Sequence, residues 1–280
     1  MDSRLSVRQM ERKDVDFAIT LARDEGWNPG LHDADAFYAQ DTEGFFIAEA
    51  DGDPVACSSM VRYGDRFAFF GLLIVRPDVR GRGHGLAVTK AALAHAGDRT
   101  IGGDGVLAMQ QKYHDRLGFD VRYRNIRYRG TGGGTMPDGL VPASAVPFAD
   151  LVAYDAGIFS AARPKFLAPW LSQEGATALA LSGRDGIAGY GVVRPCFEGY
   201  KIGPLFADTP AAAEALLDGL LASVLNAPVF FDVPEPNPVA VSLARARGMV
   251  QVFETARIYR GAPPDVPLDR VYGVTTFELG

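Results

Sequence analysis

Residues 71 to 86 read GLLIVRPDVRGRGHGL: an apolar run with the look of a strand, a proline break, then Arg80-Gly81-Arg82-Gly83-His84-Gly85 opening into the apolar-periodic LAVTKAALAHA. Glycine reaches positive φ and lacks a Cβ, so consecutive backbone N–H groups can converge on an anion at a helix N-terminus, where the helix dipole also favours negative charge. Arg80 and Arg82 add fixed positive charge beside those amides. The spacing is not that of a dinucleotide fingerprint, because a third glycine and a closing acidic residue are missing. Nor is it a Walker loop, because no Gly-Lys-Ser/Thr follows. A pyrophosphate held in another way is the remaining reading.

Outward from this loop, the first half alternates elements in the order β-α-α-β-β-β-α-β-α-β. SVRQM reads as a strand, 13 to 25 and 33 to 40 as helices, and FFIAEA and VACSSMVRY as a hairpin about Asp51-Gly52-Asp53-Pro54. The strand from Phe69 to Val75 precedes the loop, and a helix through Ala96 follows it. Then come a short strand at Val106 to Met109, a helix ending at Gly118, and a strand at 121 to 128. This order implies a mixed sheet with helices on both faces. Residues 130 to 143, GTGGGTMPDGLVPA, carry glycine and proline without periodicity and read as a linker. The expected division is 1 to 130, a linker at 131 to 143, and a second unit at 144 to 280.

The second half repeats the theme with helices near 148 to 159, 163 to 171 and 211 to 225, strands at 177 to 182, 187 to 194 and 200 to 206, then VFFDV, VAVSLARARG and QVFETARIYR. Before its helix at 211 stand Ala207, Asp208, Thr209 and Pro210, with neither glycine nor arginine. A pyrophosphate would find no free amides or positive charge there, so only the first half is expected to hold one.

Bulk properties narrow the classes. A chain of 280 residues with 48% hydrophobic and 22% charged residues reads as an ordinary globular protein of two units. A net charge of −6 with dispersed basic residues argues against a nucleic-acid partner. Cys57 and Cys196 lie in strand-like runs and read as free buried thiols, with no metal site. No leader-like or membrane-length apolar segment is evident, so a cytoplasmic location without membrane association is expected.

Gln110-Gln111-Lys112-Tyr113-His114-Asp115-Arg116-Leu117-Gly118-Phe119 has the form of a helix closed by a glycine cap. This ending and the loop together resemble the Gcn5-related N-acetyltransferases (GNAT). That family's coenzyme A loop reads Q/R-x-x-G-x-G/A after a strand carrying V-x-P, matched by Val75-Arg76-Pro77 and Arg80 to Gly85. With EGWNPGLHDADAFY at 25 to 38, the resemblance extends to two-domain members with a degenerate second half. It implies an α/β (α+β) fold of tandem GNAT-like domains, each a mixed, mostly antiparallel twisted sheet flanked by helices. It also implies acetyl-CoA as co-substrate, contacted by Leu73, Ile74, Val75, Arg80, Gly81, Arg82, Gly83, His84, Gly85 and Leu86.

The implied activity is acetyl transfer from acetyl-CoA to a primary amine of a small molecule by direct attack in a ternary complex, with the second half closing the acceptor site. A primary amine with pKa near 10.4 must lose a proton before it attacks. Glu25, Asp33 and Glu49 are candidate bases. Glu25 with Trp27 and Asn28 groups charged, aromatic and amide side chains suited to a cationic acceptor, and Asp33 joins them or caps the helix it begins. The oxyanion is expected to take a backbone N–H where two strands part, near Leu73 to Val75. The family commonly protonates the leaving thiolate from a tyrosine four residues before the glycine of the Gly-Phe ending. Here that position is His114, with Tyr113 one residue earlier and about 100° around the helix. Both remain candidates, with His114 expected to matter more. On predicted strands of the second half, Tyr190, Tyr200, Lys201 and Arg257 either wall the acceptor pocket or alternate in an ordinary pleat.

Two alternatives stay open: an acetyltransferase acting on protein N-termini or lysines, which needs an open groove, and a non-catalytic coenzyme A-binding sensor or scaffold. A homodimer stays open too, since an apolar interface between domains and one between subunits read alike in a single chain.

Overall fold

The computed structural model describes residues 4–184 and 186–280. In the first half, β1 (Leu5–Gln9), α1 (Arg12–Asp24), α2 (Asp33–Gln40), β2 (Phe45–Ala50), β3 (Asp53–Tyr63), β4 (Phe67–Val75), α3 (His84–Ala96), β5 (Thr100–Val106), α4 (Gln110–Leu117) and β6 (Asp120–Thr131) follow the expected order. The strand expected at 106 to 109 instead ends at Val106, and Leu107–Met109 form a single 3-10 turn. Its sequence, TIGGDGV, hides the alternation because Gly102, Gly103 and Gly105 stand where the rings of Phe67 and Tyr113 and the carbonyl of Phe70 leave no room for a side chain.

The second half contains β7 (Leu140–Pro142), α5 (Phe148–Phe159), α6 (Pro164–Leu171), β8 (Thr177–Gly183), β9 (Gly186–Pro195), β10 (Tyr200–Ala207), α7 (Pro210–Ala222), β11 (Pro228–Pro234), α8 (Pro238–Ala246), β12 (Val250–Arg260) and β13 (Val271–Gly273). The stretch read as a structureless linker is partly ordered into the sheet. β6 runs on to Thr131, and β7 pairs with β8 through Val141 and Ala180.

Thirteen strands form one continuous sheet, ordered β1-β2-β3-β4-β5-β12-β6-β11-β10-β9-β8-β7 with β13 on β10. The halves exchange strands at its centre. β12 lies between β5 and β6, pairing Arg257 with Asp104 and Ala256 with Arg124, while β6 in turn pairs with β11. Apolar packing continues across this junction: Trp170 of α6 stacks on Phe37 of α2 at 6.2 Å within a core that also contains Phe69 and Tyr190. Three buried ion pairs, Asp33–Arg194, Arg127–Asp232 and Asp104–Arg257, bridge the halves. Each satisfies a guanidinium that burial would otherwise penalise.

Among the described residues only two neighbouring pairs run parallel, β4–β5 and β10–β11. The β4–β5 register stops at Phe70 and Gly103, and the β10–β11 register stops at Ile202 and Phe231. Beyond these points the strands part. In the second half β13 fills the gap, pairing Leu205 with Gly273 and Phe206 with Val271, while the Val274 amide donates to the carbonyl of Asp232 on the other side. In the first half the gap is open.

Candidate active site

A cavity of about 690 Å³ occupies the open wedge between β4 and β5. The volume is typical of small-molecule sites. The wedge originates in a bulge of β4: the register with β3 slips between Cys57 and Ser59, and Leu72 takes φ +47. Positive φ is costly for leucine, and its burial holds it there. Past this bulge, β4 pairs only with β3, leaving one edge of Leu72 to Val75 without a strand partner. Backbone N–H groups on such an edge can bind a ligand oxygen.

At the outer end, Gly81 (φ +82) and Gly83 (φ +89) turn the chain into α3. Nothing lies within 4 Å of a side chain placed at either, so conformation rather than space demands glycine. No side chain caps the start of α3, which leaves its amides available to an anion. By contrast, Thr209 caps α7 in the second half by accepting from the Ala212 amide. Arg80 is held by the carbonyl of Val75 and by an ion pair with Glu25. Of the residues expected to contact the cofactor, Leu73, Ile74, Val75, Arg80, Gly81, Gly83, Gly85 and Leu86 line the cavity, whereas Arg82 and His84 do not. Lys112 and Arg116 of α4 add positive charge to the wall.

The two candidate acids on α4 part company. Tyr113 lines the cavity, packed between Phe70 and Phe119 at ring distances of 6.3 and 6.5 Å, and burial pushes its hydroxyl up to about 12. His114 faces outward with its side chain 60% exposed, its Nδ1 lying 3.2 Å from the Phe119 carbonyl and 3.4 Å from Asp120. Of the two, Tyr113 is the one on the cavity wall. Helix phase is the reason: Gly118 at φ +72 and the bonds from Gly118 to His114 and Phe119 to Tyr113 fix the end of the helix, and the face toward β5 carries Tyr113.

Of the expected acceptor residues, Glu25 and Trp27 line the cavity and Asn28 and Asp33 do not. Asn28 clasps the backbone of Glu198 at 2.9 and 2.8 Å, tying its loop to the second half. Asp33 is fully buried against Arg194, and it is the first residue of α2 rather than its cap, the cap position falling on His32. The Trp27 carbonyl accepts from Arg127 (2.6 Å) and Lys201 (3.3 Å). Burial pulls the Lys201 ammonium down. Glu49 is engaged by Arg8 on β1, remote from the cavity. Tyr190, Tyr200, Lys201 and Arg257 do not line the cavity.

Sequence reasoning missed Asp104, Phe253, Thr255, Phe277 and Glu278, all on the cavity wall. A charged residue among the glycines of TIGGDGV was the visible signal for Asp104, whose carboxylate is gripped by Arg257 at 2.9 and 2.8 Å and by Asn125 at 2.8 Å. Glu278 sits in FELG, where no local pattern marks it. Among the described residues no cluster of three or more His, Cys, Asp or Glu suits a metal ion, no helix is long and apolar enough to cross a membrane, and both cysteines are free and buried.

Comparison with known proteins agrees with this architecture. Residues 12–119 match the acetyltransferase (GNAT) family and residues 151–273 match an acetyltransferase (GNAT) domain. Holothin acyltransferase of Pseudoalteromonas sp. (strain SANK 73390) is 30% identical over 259 residues, covering 91% of this chain and 88% of that protein. Among solved structures, a Pyrococcus horikoshii protein classed as an acetyltransferase superposes with a TM-score of 0.84 at 22% identity, covering 99% of this chain and 96% of the other. A tandem GNAT protein from the clavulanic acid biosynthesis pathway gives 0.64 at 14% identity, covering 94% and 100%. With both halves matched and a relative 30% identical across nearly its whole length, the chain belongs to the GNAT acyltransferase family as a tandem member.

Proposed function

We propose that the chain transfers an acetyl group from acetyl-CoA to the primary amine of a small molecule, by direct attack within a ternary complex. One observation carries this reading: a single cavity joins the glycine turn at the start of α3, the unpaired edge of β4 and Tyr113. Acetyl-CoA supplies an activated thioester carbonyl. The Gly81 to Gly85 backbone and the N-terminus of α3 bind its pyrophosphate. N–H groups in the Leu72 to Val75 segment donate to the acyl oxygen as negative charge develops on it. Glu25, on the same wall, takes the proton that the attacking amine loses, and Tyr113, kept protonated by burial, supplies the proton to the departing sulfur.

The likeness to holothin acyltransferase supports acyl transfer as the reaction class. The loop at 25 to 33 and the segment 271 to 280 cover the inner end of the wedge, which favours a compact acceptor over a protein tail. Tyr113 on the wall speaks for a competent enzyme rather than a coenzyme A-binding sensor.

Calorimetric titration with acetyl-CoA, repeated on Gly83→Glu, tests the reading. One-site binding to the wild type, abolished in the variant, is expected, followed by thiol release on adding amines. Absence of binding to the wild type would overturn it.

A further inference from the structure

We infer that Glu278 is the acceptor-binding residue of this cavity, and that the acceptor it selects is a monocationic amine with a flat, apolar body. The inference rests on the transferase reading above and deepens it.

Glu278 is 2% exposed, it belongs to the cavity wall, and neither carboxylate oxygen has a hydrogen-bond partner among the described residues. A buried carboxylate without donors is unfavourable, and a ligand that donates to it relieves that cost. The other acids on the wall are already engaged, Glu25 by Arg80 and Asp104 by Arg257 and Asn125. The neighbouring cations make their hydrogen bonds elsewhere, with Arg194 Nη1 left without a partner among the described residues. Arg127 forms a fork with Asp232 at 2.6 and 2.8 Å, Arg194 does so with Asp33 at 2.7 and 3.0 Å, and Lys201 donates to the Trp27 carbonyl. All three lie within electrostatic reach of Glu278, yet none donates to it.

Its position suits the chemistry. The Glu278 carbonyl packs on Gly71, immediately before the β4 bulge, so closely that an added Cβ would lie 2.0 Å from it. The segment is pinned there by the Thr276 hydroxyl, which accepts from the Glu278 and Leu279 amides at 3.0 and 2.9 Å, and by the Tyr63 hydroxyl, which donates to the Leu279 carbonyl at 2.9 Å. The backbone of Glu278 is therefore fixed beside the start of the unpaired edge of β4.

The body of the acceptor is read from the rings around it. Trp27, Phe253 and Phe277 line the cavity, the two phenylalanine rings 6.3 Å apart and tilted by 41°. Arg127 already lies over both phenylalanine rings, 5.5 and 4.8 Å from their centres, so what the rings offer an acceptor is flat apolar surface.

The test is calorimetric titration of coenzyme A-saturated protein with 2-phenylethylamine and with its neutral counterpart 2-phenylethanol, on wild type and Glu278→Gln. The wild type should prefer the amine by about 10- to 100-fold, the scale of one charge-assisted hydrogen bond. Glu278→Gln should erase that preference while binding coenzyme A as the wild type does, which also shows that it folds. Coenzyme A binding without amine preference in the wild type, or a preference that survives in Glu278→Gln, overturns this inference alone. A wild type that binds no coenzyme A overturns the transferase reading together with it.

Discussion

Asp33 of α2 and Arg194 of β9 meet across the two halves, the guanidinium donating from Nε at 2.7 Å and Nη2 at 3.0 Å, with both side chains wholly excluded from solvent. The Gly30 amide completes the carboxylate's coordination at 2.8 Å, and the guanidinium lies over Trp170, 4.3 Å from the ring centre. The pair positions the loop that carries Trp27. Asp33→Ala, which strands a buried arginine, should destabilise the fold by about 3–5 kcal/mol. Replacing both partners, as Asp33→Leu with Arg194→Met, should cost less than the single change. Urea unfolding of the three variants measures this.

The same carboxylate gives a pH dependence. Burial pushes Asp33 upward, but the charge and hydrogen bonds of Arg194, the Gly30 amide and the charge of Lys201 outweigh it and hold the group below the usual range. A depressed acid stabilises the fold fully above its unfolded pKa near 3.9 and loses that contribution as pH falls through the lower folded value. Acid unfolding of the wild type should therefore show a stability loss below about pH 4 that is shallower in Asp33→Asn.

Tyr113→Phe should lower kcat by about 10²- to 10⁴-fold, the usual scale of general acid catalysis, with little effect on KM for acetyl-CoA. His114→Ala should remain near wild type. Because burial raises Tyr113 to about 12, its proton persists, and kcat should show no alkaline fall from this group until pH approaches that value. Steady-state rates of thiol release check both statements.

Gly71→Ala places a methyl group against the Glu278 carbonyl. Backbone crowding of this kind should cost about 1–3 kcal/mol. It should also raise KM for the amine more than for acetyl-CoA, since the displaced segment belongs to the acceptor end. Thermal melting and paired KM measurements separate the two effects.

Gly83→Ala tests conformation without crowding, because its surroundings are empty but its φ is +89. Strain of about 1–3 kcal/mol is expected, relieved by a shift of the turn that weakens acetyl-CoA binding. Calorimetry should record weaker binding with unchanged stoichiometry.

The readable parts of this chain are those whose signals are local. A glycine turn entering α3, the cap at Gly118 and the hairpin of β2 and β3 depend on residues near one another in sequence, and all three appear where expected. Alternation identifies β12 as a strand but says nothing about its neighbours, so its insertion beside β5 was invisible. The choice between Tyr113 and His114 turned on helix phase, which only the packing of Phe70 and Phe119 decides. Glu278 acquires meaning only when β13 brings its segment to Gly71, more than 200 residues earlier in the chain.

The insertion of β12 between β5 and β6 has a consequence for biosynthesis. While residues 1 to 131 emerge from the ribosome, β5 and β6 cannot close on each other as they stand in the finished protein, because the strand that separates them is not yet made. Both edges wait through more than a hundred further residues. Open edges of this kind invite pairing with other chains. A gene fragment encoding only the catalytic half would inherit that hazard permanently, which is a physical reason for a lineage to keep a second half whose own cleft is plugged.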